Sequence, residues 1–123
     1  MGSNQVLGAE MYRSALQGKP LGRIQTLMTT FPYSGSASSY SKSNGITDSA
    51  AAGTCLATGK KTKNGMLGLD QDSAFIPTIA EELKAQGWGI GIMTTVAIDH
   101  ATPAAFYAHV PKRNNYYRIG EQL

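Results

Sequence analysis

Ser49 is the residue of this 123-residue chain best placed to act as a nucleophile. It follows Asp48 and precedes Ala50, Ala51 and Ala52, small residues that favour a helix and crowd nothing beside it. The serine therefore belongs at a helix start, where unpaired backbone N–H groups and the positive end of the helix dipole favour an anion. A hydroxyl in that place can face a phosphoryl group. On residue types and spacing alone, capping is the commoner role of Asp and Ser before a helix. The other residues with chemistry to offer are few. Cys55 lies inside the same alanine-rich stretch, with no histidine or second cysteine near it in sequence, and reads as a small buried apolar residue. His100 and His109 are nine residues apart, which is not a chelating spacing on one helix.

These residues need elements to position them. Residues 5–16 carry Val6, Leu7, Met11, Ala15 and Leu16 at helical spacing, an apolar stripe expected to join the core. Gly18 and Pro20 end that helix. Residues 24–31 are rich in Ile, Leu, Thr and Phe and read as a strand. A serine-rich connection over 33–45 then leads as an ordered loop into the helix of Ser49. Gly59 is its C-cap, and Asn64-Gly65 is a turn signal. A helix is expected over 77–86, with Pro77 in its first turn, Ile79, Ala80 and Leu83 on one face, and Gly87 just after it. Residues 88–95 read as a buried strand. Helix, glycine and short apolar strand make half of a βαβ unit, so the fold expected is α/β with a mostly parallel sheet. Thr102 reads as the N-cap and Pro103 as the first residue of a helix running through His109. Beyond Arg113 no period is evident.

Composition bounds the function. At 41% hydrophobic and 15% charged residues the chain is within the globular range, and its length suits one small domain over 1–123. The net charge of +3 comes from two clusters, Lys60, Lys61 and Lys63, then Lys112, Arg113 and Arg118. They suit an anionic ligand, but they lack the interleaved aromatics and modules of nucleic-acid binding, so nucleic acid is not expected as a partner. A single cysteine excludes an internal disulfide. No apolar run is long enough to cross a bilayer, and the first residues open neither a secretory signal nor a myristoylation site, where Val6 stands in place of Ser or Thr.

Two segments carry a resemblance. Thr47-Asp48-Ser49-Ala50-Ala51, then Ala57-Thr58-Gly59, the lysines, and Asn64-Gly65-x-Leu67-Gly68-x-Asp70, resemble the nucleophile segment of the alkaline phosphatase family. Thr94-Thr95, His100-Ala101-Thr102-Pro103-Ala104-Ala105 and Ala108-His109-Val110-Pro111-Lys112-Arg113 resemble a second segment of that family, in the right order. The resemblance implies a partial three-layer α/β sandwich around an incomplete, mostly parallel sheet. It also implies hydrolysis of phosphate monoesters through a phosphoserine. Ser49 matches the nucleophile and a zinc ligand, and Arg113 matches the arginine that holds the non-bridging oxygens, a planar fork that stays charged at alkaline pH. Asp48 matches the carboxylate that orients that arginine, Thr102 a hydroxyl ligand of magnesium, and His100 a residue near the magnesium that does not bind it directly. His109 is left as structural. The parent implied is a periplasmic or extracellular enzyme and a possible homodimer.

Where the family has Asp-Gly-Met-Gly, this chain begins Met1-Gly2. The metal-bridging aspartate and the later zinc ligands are absent, so the resemblance implies an N-terminal piece truncated at both ends. Most zinc and magnesium ligands would lie outside it. Such a piece is expected to show negligible phosphatase activity alone, to fold poorly, and to leave the apolar face of 88–95 uncovered. Two other readings stand beside this one: a related phosphodiesterase or sulfatase-like hydrolase, against which the pairing of Ser49 with Arg113 argues, and a non-catalytic anion-binding domain.

Overall fold

A helix can start only where its orphan amides find partners, and the helices of this chain differ in how they meet that need. The computed structural model describes residues 2–21 and 23–123, which fall into two compact units, Met1–Ala37 and Ser38–Leu123.

In the first unit, α1 (Ser3–Leu16) opens with the Gly2 amide donating to the Gln5 side chain at 2.7 Å. It closes with Gly18 at φ 62° and with Lys19 donating to the Ser14 carbonyl, a left-handed glycine stop of the expected kind. The apolar stripe does not form a core: Leu7 is 52% and Leu16 68% exposed. Glu10 and Ser14 are buried instead, because they take the hydrogen bonds of the following chain. The Glu10 carboxylate accepts from the Thr26 amide and from the Thr26 and Thr29 hydroxyls, and Ser14 Oγ accepts from the Ile24 amide. Those same bonds account for the loss of the expected 24–31 strand. They curl the chain into a 3-10 helix, Leu27–Thr30, whose threonine hydroxyls bond back to carbonyls three residues earlier.

The second unit is built on α2 (Ser49–Thr58), α3 (Ile79–Ala85), the single turn α4 (Ala101–Ala104) and α5 (Tyr116–Gly120). Its core cluster is Ala50, Leu67, Ala101, Ala104, Ala105, Ala108, Val110 and Ile119. Five of those eight side chains are single methyl groups, so helices can approach closely: a Cβ placed on Gly53 of α2 would stand 2.8 Å from the Ala105 methyl. Val110 and Leu67 exchange both main-chain bonds at 2.9 and 3.0 Å, which fixes the segment before Arg113 against the segment after Asn64-Gly65.

Extended pairing among the described residues is confined to two isolated antiparallel bridges, Leu67 with Val110 and Leu69 with Phe75. Among the described residues the expected mostly parallel sheet is not formed. Residues 88–95 are neither a strand nor buried, with Trp88 64% and Met93 99% exposed. A strand needs neighbours for its N–H and C=O groups, and among the described residues the amides of 89–95 donate no hydrogen bond. α3 starts two residues later than expected, at Ile79, capped by Thr78, whose hydroxyl accepts from the Glu81 amide while the Glu81 carboxylate accepts from the Thr78 amide. None of its residues is buried. α4 is capped by His100, so Thr102 and Pro103 sit inside its one turn rather than at its start. The unpatterned tail beyond Arg113 forms α5 and buries Ile119. Cys55 is half-buried rather than enclosed.

Candidate active site

α2 begins where its sequence asks it to. Asp48 is its N-cap, with Oδ1 accepting from the Ala51 amide at 2.9 Å and its main-chain carbonyl from Ala52. The amides of Ser49 and Ala50 are left as the orphan donors of the helix start. Ser49 is the first helical residue and half-buried.

Arg113 arrives from 64 residues away. One of its terminal nitrogens, Nη1, donates to Ser49 Oγ at 3.0 Å and stands 3.2 Å from Asp48 Oδ2. Arg113 and Asp48 side chains are each about 25% exposed, so the guanidinium is held against the cap while part of it faces solvent. A guanidinium carries five donors, and the rest of the fork is free of the Asp48 carboxylate. The structure thus brings Asp48, Ser49 and Arg113 together, as the resemblance implies.

Gly65, inside the first of the two motifs, ties the trio together. Asp48 Oδ2 also accepts from the Gly65 amide at 2.9 Å, and the Gly65 carbonyl accepts from the Arg113 amide at 2.7 Å. Gly65 has φ 86°, a left-handed turn position that suits glycine. The sequence marks Asn64-Gly65 as a turn within the first of those motifs, but nothing in its spacing announces the bonds to Asp48 and Arg113.

His109 is a brace. Its ring bonds the Gly68 carbonyl at 2.7 Å and the Glu81 carboxylate at 2.9 Å, and lies 4.1 Å from the Phe75 ring. Gly68, at φ 59°, touches that ring so closely that a Cβ would collide with it. Burial raises the Glu81 pKa, but the Thr78 amide, the His109 ring and the Thr78 hydroxyl outweigh it and hold the carboxyl below its ordinary value of 4.5.

Thr102 and His100 lie on α4, which packs on α2. The Thr102 side chain is exposed. His100 Nδ1 is buried with no hydrogen-bond partner among the described residues, a nitrogen free to accept or donate. No three His, Cys, Asp or Glu side chains converge among the described residues. Among the described residues the donors near the site are therefore isolated, a serine and a threonine hydroxyl and one imidazole nitrogen, rather than a closed metal site. A cleft of about 520 Å³ is lined by residues that include Ile90, Ile92, Ile98, Phe106 and Tyr107 but not Ser49. No helix of the described residues is long and apolar enough to cross a membrane.

Comparison with known proteins gives this geometry its relatives. The family model described as alkaline phosphatase matches residues 1–121. The chain is 39% identical over 118 residues to the alkaline phosphatase of Escherichia coli, covering 94% of this chain and 25% of that one. It is 50% identical over 74 residues to alkaline phosphatase 4 of Bacillus subtilis, covering 60% and 16%. Among solved structures, the Thermus thermophilus alkaline phosphatase superposes with a TM-score of 0.79 at 35% identity, over 93% of this chain and 24% of that one. A mutant of the TAB5 alkaline phosphatase, solved with magnesium bound, superposes with a TM-score of 0.66 at 34% identity, over 67% and 24%. The chain spans about a quarter or less of the length of these relatives.

Proposed function

Because this chain belongs to the alkaline phosphatase family, we propose that it carries the nucleophile and the phosphate-binding arginine of a phosphate monoester hydrolase. The observation that carries the reading is the shared nitrogen, Arg113 Nη1, bonded to both Ser49 Oγ and Asp48 Oδ2. A hydroxyl and a guanidinium in contact are what an incoming phosphoryl group needs, one to attack the phosphorus and one to take the charge of the equatorial oxygens.

In this mechanism Ser49 Oγ loses its proton to solvent and forms a bond to phosphorus as the ester oxygen leaves in line with it, the departing oxygen taking a proton from water to become the alcohol. Water then displaces the serine from the phosphoserine, releasing inorganic phosphate and restoring the hydroxyl. Arg113 gives up its bond to Ser49 Oγ and turns its donors to the non-bridging oxygens, while Asp48 keeps the guanidinium aimed. The orphan amides of Ser49 and Ala50 add fixed positive ends. Zinc beside Ser49 and magnesium beside Thr102 belong to this reading, as do export to the periplasm or cell surface and phosphate monoesters as substrates. The donors of this chain do not complete either metal site, and the 123 residues alone are expected to turn over negligibly. The remaining ligands, and the sheet of a three-layer sandwich, are proposed to come from sequence beyond these residues.

The test uses the reading frame that contains this chain. Ser49→Ala is expected to abolish hydrolysis of an aryl phosphate and to remove the phosphate that acid quench traps on the Ser49 peptide. Undiminished turnover in Ser49→Ala would reject the assignment.

A further inference from the structure

Asn64 spends its polar groups in an unusual way for an asparagine before glycine. A turn-forming asparagine bonds its own backbone about two residues on. Asn64 instead sends Oδ1 to accept from the Asp48 amide at 3.1 Å and Nδ2 to donate to the Ile46 carbonyl at 3.0 Å, sixteen and eighteen residues away. Its own amide donates to Ser43 Oγ at 2.9 Å. The carboxamide thus takes the place of a strand partner for residues 46–48. Its orientation follows from the partners, since the flipped amide would set oxygen against the Ile46 carbonyl and NH2 against the Asp48 N–H. The next residue, Gly65, bonds the Asp48 carboxylate through its amide and the Arg113 main chain through its carbonyl.

We propose that Asn64 is the positioning residue of the Ser49 site: its carboxamide sets the distance between the serine and the Arg113 guanidinium by fixing the segment of Asp48 to the turn from which Arg113 hangs. This inference rests on the phosphate-binding reading above. Capping of α2 does not depend on Asn64, because Asp48 Oδ1 performs it from within the helix start. Loss of the carboxamide therefore leaves the helix formed but lets residues 46–49 shift against Arg113, and a shift of about 1 Å costs on the order of a hundredfold where oriented groups act together.

The experiment titrates inorganic phosphate into the whole chain and follows the Arg113 guanidinium signals by 15N NMR. In the native chain those signals report the contact with Ser49 and Asp48. Asn64→Ala is expected to weaken phosphate binding at least about tenfold and to collapse the distinct Arg113 signals. Thr78→Ala, which destabilises α3 at a distance from Ser49, serves as the control for a general loss of stability and is expected to change binding less than about twofold. Asn64→Asp keeps the acceptor for the Asp48 amide but turns a charged oxygen toward Ile46. It is therefore expected to bind phosphate more weakly than the native chain, as Asn64→Ala does, and undiminished binding would count against the proposal. Equal losses in Asn64→Ala and Thr78→Ala, or unchanged Arg113 signals in Asn64→Ala, would overturn the proposal. Should the native chain bind no phosphate, the phosphate-binding reading fails, and the Arg113 signals alone then decide the role of Asn64: collapse in Asn64→Ala supports it and persistence overturns it.

Discussion

Arg113 touches Ser49 through one nitrogen, which makes the choice of arginine testable. Removing one donor to a developing oxyanion typically costs about 10²–10³ in rate, so Arg113→Ala in the reading frame that contains the chain is expected to lose at least that much in kcat/KM for an aryl phosphate. Arg113→Lys should recover little of it, since a single ammonium cannot hold Asp48 and two phosphate oxygens together. Glu81 gives a second prediction. Its folded pKa lies below 4.5, so the ionised carboxylate favours the fold; that contribution is complete above the unfolded value and is lost as pH falls through the folded one. Thermal melts between about pH 3 and 7 should show acid destabilisation that is smaller in Glu81→Gln. Ser49, Asp48 and Arg113 could be singled out because two segments that resemble the family carry them. The roles of Asn64 and His109 were not, since their partners lie 16 to 41 residues away and no local pattern announces such bonds.

Helices ended by glycine and the one begun by Asp48 were readable at the element scale. The Asp48 cap, the Gly59 stop at φ 71° and the Gly87 stop at φ 86° all rest on bonds made within a few residues. The elements that failed depend on distant partners. Thr102 looked like a cap because Pro103 follows it, yet the turn starts at Ala101, where the Ala104 amide reaches the His100 carbonyl. The contact of α2 with the turn after α4 is also testable. Gly53→Ala gains helix propensity of about 1 kcal/mol, but the new methyl meets Ala105 at 2.8 Å. Overpacking costs about 1–3 kcal/mol and should win, so the substitution is expected to lower the melting temperature. Thr78→Ala removes a cap and the hydroxyl that donates to the Phe106 carbonyl at 2.9 Å, for an expected loss of about 1–2 kcal/mol in denaturant melts.

For the molecule as a whole, apolar surface and backbone bonding are unevenly spread. The core of Ser38–Leu123 is small and alanine-rich, while Trp88, Met93, Val96 and Phe75 stand exposed. Hydrogen exchange is expected to be fastest over residues 89–95, whose amides lack acceptors among the described residues, and slow at Leu67 and Val110, which bond each other. Equal protection in the two places would contradict this picture. The apolar run over 88–95 carries a strand's composition without a strand's form. By itself the sequence determined the family motifs, the Asp48 start of α2 and the glycine stops, because each depends on residue chemistry and on bonds to near neighbours. Tertiary structure alone decided that 24–31 curls around Glu10, that 88–95 forms no sheet, and that the Asn64-Gly65 turn joins Asp48 to Arg113. Those outcomes depend on which distant groups are present to complete each hydrogen bond, and no pattern within a segment records that.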